Sequence, residues 1–167
     1  MARKVFFSFC FDDDHWRASQ IRNMGALEGN VPCSDNDWEA VKRGGDAAIK
    51  RWIAGQLNGK SCAVVLVGAR TANRPWVIHE IEEAWNAGKG VVGIRIHNLK
   101  DPDSDHAKPG PNPFDKLTLK QGNGTKRLSS LVNLYDPNGW ASTDVYAQIN
   151  ANIADWVEEA IEIRNGA

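Results

Sequence analysis

The stretch RPWVIHEIEEAW, residues 74–85, sets three glutamates and a histidine on an amphipathic pattern. At about 100° per residue, Val77, Ile78, Ile81, Ala84 and Trp85 gather on one arc of a helix, while His79 and Glu82 fall on the opposite side. Glu80 lies beside Val77 and Ala84 at the border of the buried arc, with Trp76 one turn before it. A carboxylate there either looks into a cleft or lies flat on the surface, and charged side chains are mostly found on surfaces. Other groups suggest other chemistry. Cys10 with nearby His15 would make a thiol nucleophile, but nothing in the sequence indicates a lowered thiol pKa or a third orienting group. Asp12, Asp13 and Asp14 would hold magnesium in a phospho-receiver. That reading also requires an aspartate ending the central strand, and CAVVLVG has none. Capping of the following helix is the competing role for the triplet, with Asp13 or Asp14 facing the cleft as the other. AGQLNGKS, residues 54–61, nearly spells a phosphate-binding loop. Its order is reversed, because a helix leads in and a strand leads out, so backbone N–H groups cannot converge on phosphate.

Composition narrows the classes. The chain has 167 residues, 20 Lys and Arg against 21 Asp and Glu, and a net charge of −1. One domain spanning 1–167 is expected, long enough to bury a real core. No basic stripe points to nucleic acid or an anionic membrane. MARKVFFSF is too short to span a bilayer and lacks a signal-peptide cleavage region. Three cysteines, Cys10, Cys33 and Cys62, without a CxxC pair suit a reducing cytoplasm. His15, His79, His97 and His106 show no metal-binding spacing, so no metal site is expected.

Apolar strands alternate with helical patterns along the chain. Residues 4–9 read as a buried strand, followed by a helix from about Asp13 to Met24 and an irregular stretch over residues 28–37. A helix carrying Ile49, Trp52, Ile53 and Leu57 on one side is closed by Asn58 and Gly59. CAVVLV, apolar without alternation, is a central parallel strand covered on both faces. The 74–85 helix ends by Gly88, residues 91–97 and 131–135 form further strands, and a final helix carries Val145, Ile149, Ile153, Trp156, Val157 and Ala160. Such alternation predicts an α/β, flavodoxin-like three-layer fold, a central parallel sheet flanked by helices. The exception is the Pro- and Gly-rich segment 98–127, too long for a plain connection and either a functional lid or a surface loop. Ligands in such folds bind at the carboxyl ends of the strands. That rule selects residues 8–14, residues 68–76, His97 with the long loop, and Asp136. Glu80, early in the helix after the second of these strand ends along the sequence, starts at the correct end of the sheet.

KVFFSF followed by DDDHW resembles the first motif of TIR domains. The run SCAVVLVGARTANRPWVIHEI is similar to the TIR stretch in which an apolar strand leads through a turn to W-C-x-x-E-[LI]. The matching residues are Trp76, Val77, Glu80 and Ile81, so the resemblance puts Glu80 on the family's catalytic glutamate. With GPNPFDKL at residues 110–117, the whole chain more closely resembles the TIR-like proteins of the Thoeris ThsB family. Two departures stand out. VPCSDNDWEAVKRGGD replaces the usual TIR segment containing Arg-Asp and Pro-Gly, and Val77 stands at the cysteine position.

The resemblance implies an enzyme that cleaves the nicotinamide–ribose bond of NAD, its substrate rather than a cofactor, and makes a cyclic ADP-ribose isomer. That product would act on a separate effector protein in antiphage defence, after an unidentified phage trigger. A homo-oligomer is an open alternative to a monomer. The other reading is a non-enzymatic TIR-like module that signals by protein association. Nicotinamide leaves a cationic ring as a neutral molecule, so acid catalysis is hardly needed. The demand is on the oxocarbenium-like ribose, which one ionised carboxylate in a dry cleft would stabilise. Phe6, Phe9, Trp38 and Trp76 are candidate walls for the nicotinamide or adenine ring, with core packing as the competing role of each. Ser8 is a candidate donor to phosphate or ribose, and Asn112, between stiffening prolines, a candidate lid contact.

Overall fold

The computed structural model describes residues 3–29, 35–99, 107–121, 123–137, 139 and 141–167; of residues 12, 35, 36, 38 and 121 it includes the main chain alone. Four parallel strands form the central sheet: β1 (Val5–Ser8), β2 (Cys62–Val67), β3 (Gly90–Arg95) and β6 (Leu134–Tyr135), in the order β1-β2-β3-β6. Register is continuous across it, Ser8 pairing with Val65, Val65 with Gly93 and Gly93 with Leu134. The uninterrupted apolar runs follow from burial on both faces. Val5, Phe7, Cys62, Val64, Leu66, Val92 and Ile94 point to one side, where they meet α1 (Phe11–Arg22) and α5 (Ser142–Asn165). Phe6, Ala63, Val65, Val67 and Val91 point to the other, against α3 (Asp46–Leu57) and α4 (Pro75–Asn86). Helices on both faces of a parallel sheet make the flavodoxin-like, TIR-like architecture.

After α1 the chain returns along the free edge of β1, where Lys4 and Glu28 form an isolated parallel bridge. It then crosses to β2 on the opposite side. The connections therefore diverge between β1 and β2, the kind of switch point at whose carboxyl edge ligands bind in open α/β sheets.

Several elements differ from expectation. The stretch read as irregular ends in a helix, α2 (Asp35–Lys42), eight residues whose short pattern was too weak to stand out. Helix α1 starts at Phe11 rather than Asp13, and the last strand is confined to Leu134–Tyr135. Within the long segment, β4 (Thr118–Gln121) and β5 (Gly124–Arg127) pair antiparallel, after a 3₁₀ turn at Pro113–Lys116. Asn123 in the turn suits a tight hairpin, but β5 is exposed throughout and shows no apolar alternation to betray it.

Phe114, fully buried, anchors this segment to the sheet. Its ring lies over Gly93, where a Cβ would approach Phe114 Cε2 to 2.8 Å. Gly93→Ala should therefore overpack the site and destabilise the fold by about 1–3 kcal/mol, read as a lower denaturation midpoint at unchanged slope.

Candidate active site

Glu80 sits in the second turn of α4, whose apolar residues Val77, Ile81, Ala84 and Trp85 are buried against the sheet. Pro75 opens this helix, where its fixed φ and missing N–H cost nothing. Packing the arc turns Glu80 inward, and only 4% of it remains exposed. His79 and Glu82 point to solvent, as the periodicity requires. The border position has thus become an interior one. Ser8, the last residue of β1 and 1% exposed, donates its hydroxyl to Glu80 Oε1 at 3.3 Å. Burial pushes the Glu80 carboxyl up to about 8, and the Ser8 hydrogen bond pulls the other way. The carboxyl at the end of β1 is thus held well above the usual carboxylate range.

The rim carries charge. Asp13, at the start of α1, receives both arms of the Arg70 guanidinium from the turn after β2, with Nε to Oδ2 at 2.7 Å. Those bonds hold its carboxyl below the usual range, with smaller help from Cys10 and Arg74. Arg74 lies over the Trp76 ring, 5.2 Å from its centroid, a cation–π arrangement. Trp76 is half-buried and packs partly on the core beneath it. Cys10 is fully buried, and burial raises its thiol to about 11. His15 is exposed and stacked on Phe11, with Nδ1 2.8 Å from the Phe11 carbonyl. A neutral thiol with that histidine engaged elsewhere lacks the activation a nucleophile requires.

The remaining sequence candidates are distributed unevenly. Phe6 shares the Ser8 face of the sheet two residues lower, 2% exposed in the core with Ile53, Val77 and Ile81. Phe9 lies in the opposite cluster with Val5 and Phe7, its ring 6.4 Å from that of Phe11. Asn112 is half-buried, and its Oδ1 accepts from the Phe114 N–H at 2.9 Å, capping the 3₁₀ turn. The side chain of Trp38, and residues Cys33 and His106, lie outside the described residues. An open depression of about 390 Å³ borders the other flank of α4, lined by Arg74, Ile78, His79 and Lys116 among others. Neither Ser8 nor Glu80 lines it. Arg70 and Arg74 had no part in the sequence reading, although they fall in the strand-end segment it selected. Among the described residues, no group of three or more His, Cys, Asp or Glu could hold a metal ion, and no helix is long and apolar enough to cross a membrane.

The Glu80 environment makes stability depend on pH. Below its ordinary value of 4.5, folded and unfolded chains both hold the proton, so burial carries no ionisation penalty. Between 4.5 and about 8 the unfolded chain releases it while the folded one keeps it, and stability falls as pH rises. Glu80→Gln, which retains an oxygen to accept from Ser8, removes this term. The variant should match the parent near pH 4 and exceed it by roughly 3–5 kcal/mol at most above pH 8, measured by urea unfolding across pH.

Residues 6–101 match the family model described as Thoeris protein ThsB, TIR-like domain. The chain is also 36% identical over 144 residues to a Bacillus cereus (strain MSX-D12) protein named "Putative cyclic ADP-D-ribose synthase ThsB1". That alignment covers 83% of this chain and 73% of the relative. Most of β1, all of β2 and β3, and the buried Glu80 of α4 lie within residues 6–101, and the chain belongs to the Thoeris ThsB TIR-like domain family.

Proposed function

We propose that this protein cleaves the nicotinamide–ribose bond of NAD and closes the ADP-ribose portion into a cyclic isomer. The Bacillus cereus relative, named a putative cyclic ADP-D-ribose synthase, supports the reaction class. The observation that carries the reading is the Ser8–Glu80 pair, a carboxyl kept nearly dry at the carboxyl end of β1. As the glycosidic bond breaks, its electron pair passes to the nicotinamide nitrogen, which leaves neutral. Positive charge then builds on the ribose ring, and Glu80 is the group that meets it.

The raised pKa of Glu80 is compatible with this role, because a cationic ligand favours the ionised form. The carboxylate is generated where the substrate is and acts in a low-dielectric site, in which its attraction for developing charge exceeds that in water. Attack by a nucleophile on the substrate's own far end, with loss of its proton, gives a cyclic product; attack by water gives ADP-ribose. Trp76, with Arg74 over its ring, forms one wall. Asp13 is a rim residue, and Asn112 lies on the segment that reaches the end of β2. Cyclic product would pass to a separate effector in antiphage defence in the cytoplasm, after a phage component triggers the enzyme.

Mass spectrometry of NAD incubated with the protein, in buffer and in lysate of phage-infected cells, tests the reading. Cyclic ADP-ribose isomer should appear with the parent and be absent with Glu80→Gln, whose melting remains cooperative. Full turnover by that variant would remove Glu80 from the chemistry. No turnover in either medium, with no thermal stabilisation by NAD, would make the protein an association module instead. In the active case kcat/KM should rise with pH to an inflection near the free-enzyme value of about 8. Ser8→Ala deletes the bond that favours the carboxylate, so its inflection should move higher and its activity at pH 7 should fall.

A further inference from the structure

The most deeply buried charged side chains among the described residues are Asp14, 1% exposed, and Arg17, 2% exposed. Arginine has no neutral form to adopt, so burying it demands partners for its N–H groups. Arg17 Nε donates to the Leu99 carbonyl at 2.8 Å. Its Nη1 lies 3.3 Å from both the Asp13 carbonyl and Asp14 Oδ1, donating to each. The Asp14 carboxylate is pressed against Gly68, where a Cβ would come to 2.1 Å from Oδ2 and 2.6 Å from Oδ1. Only glycine admits a carboxylate that close to the main chain.

Three strand ends meet at this one ion pair. Asp13 and Asp14 follow β1, Gly68 follows β2, and Leu99 lies in the turns after β3. From Gly68 the chain leads directly towards Glu80: its N–H donates to Thr71 Oγ1 at 2.8 Å, and Thr71 opens the turn that ends at Arg74, the N-cap of α4. The long segment is tied to the same place on its return. Arg95 Nη1 donates to the Gly110 carbonyl at 2.5 Å, and a Cβ on Gly110 would lie 2.2 Å from the Gly68 carbonyl oxygen.

We propose that Arg17 is a positioning residue, which through Asp14 and the Leu99 carbonyl holds the three strand-end loops in one arrangement around the Ser8–Glu80 pair. It touches no reacting atom. Its effect on turnover rests on the reading of Glu80 as the group that meets NAD, while its effect on the loops does not.

Arg17→Lys keeps the charge but cannot reach all three acceptors, and Asp14→Asn keeps the shape while removing the partner charge. Gly68→Ala displaces the carboxylate from the other side. In whichever of these melts cooperatively, kcat for NAD should fall at least about tenfold with KM within about threefold, because misplacement of an otherwise intact site acts on the transition state. Hydrogen exchange at the Gly68, Thr71 and Leu99 amides should quicken by about tenfold or more in the same variants, as local opening becomes easier. Folded variants with kcat within about twofold of the parent, or with unchanged exchange at these amides, would overturn the proposal and leave Arg17 a packing residue. If the parent itself turned over no NAD, the functional reading would fall, and unchanged exchange would still refute the loop-holding role.

Discussion

Keeping a carboxyl group out of water against a hydroxyl is the constraint on which the site depends. Glu80 is buried because α4 must lay Val77, Ile81, Ala84 and Trp85 onto the sheet and its position on the helix turns it inward with them. The core on that face supplies the free energy to hold it there, since each fully buried Val, Ile or Leu contributes about 1.5–3 kcal/mol. Ser8 is the matching polar atom, placed at the end of a strand whose other residues on that face are apolar. Burial pushes the Glu80 carboxyl up as a consequence, with the Ser8 bond pulling the other way.

Three acids at one edge of the sheet are treated differently. Asp13 is paired with Arg70 at the rim and kept ionised. Asp14 is sealed beneath the loops with Arg17. Glu80 has a hydroxyl in place of a cation, and its pKa moves in the opposite direction to that of Asp13. Environments of this kind push neighbouring carboxyls apart in their ionisation, the pattern by which carboxyl groups take different roles at one site. The arginines make this division possible, because each guanidinium satisfies several oxygens from a fixed fork.

The strand ends are also where main chains approach most closely. Gly68 lies between the Asp14 carboxylate and Gly110, and Gly93 accepts the Phe114 ring. These contacts draw the long segment down onto the carboxyl edge at residues 110–114. Asn112 is used there to cap its own turn, which stiffens the segment where it passes the end of β2.

Much of this was legible in the residues. Period-two burial on both faces left CAVVLV with no polar position, so β2 could be bounded correctly and the parallel sheet followed from the alternation of strands and helices. The strand-end rule and the helical arc of residues 74–85 together singled out Glu80 and Ser8 as members of one edge. Short elements were not legible: α2 and the β4–β5 hairpin carry too few apolar residues to generate a pattern. Nor was the depth of Glu80, because periodicity assigns a direction around a helix and not the distance to the neighbouring strand. The partition of Asp13, Asp14, Arg17 and Arg70 into pairs was decided by tertiary structure alone. Which cation reaches which carboxylate depends on loops from three separate strands meeting in space, and no local spacing encodes that meeting.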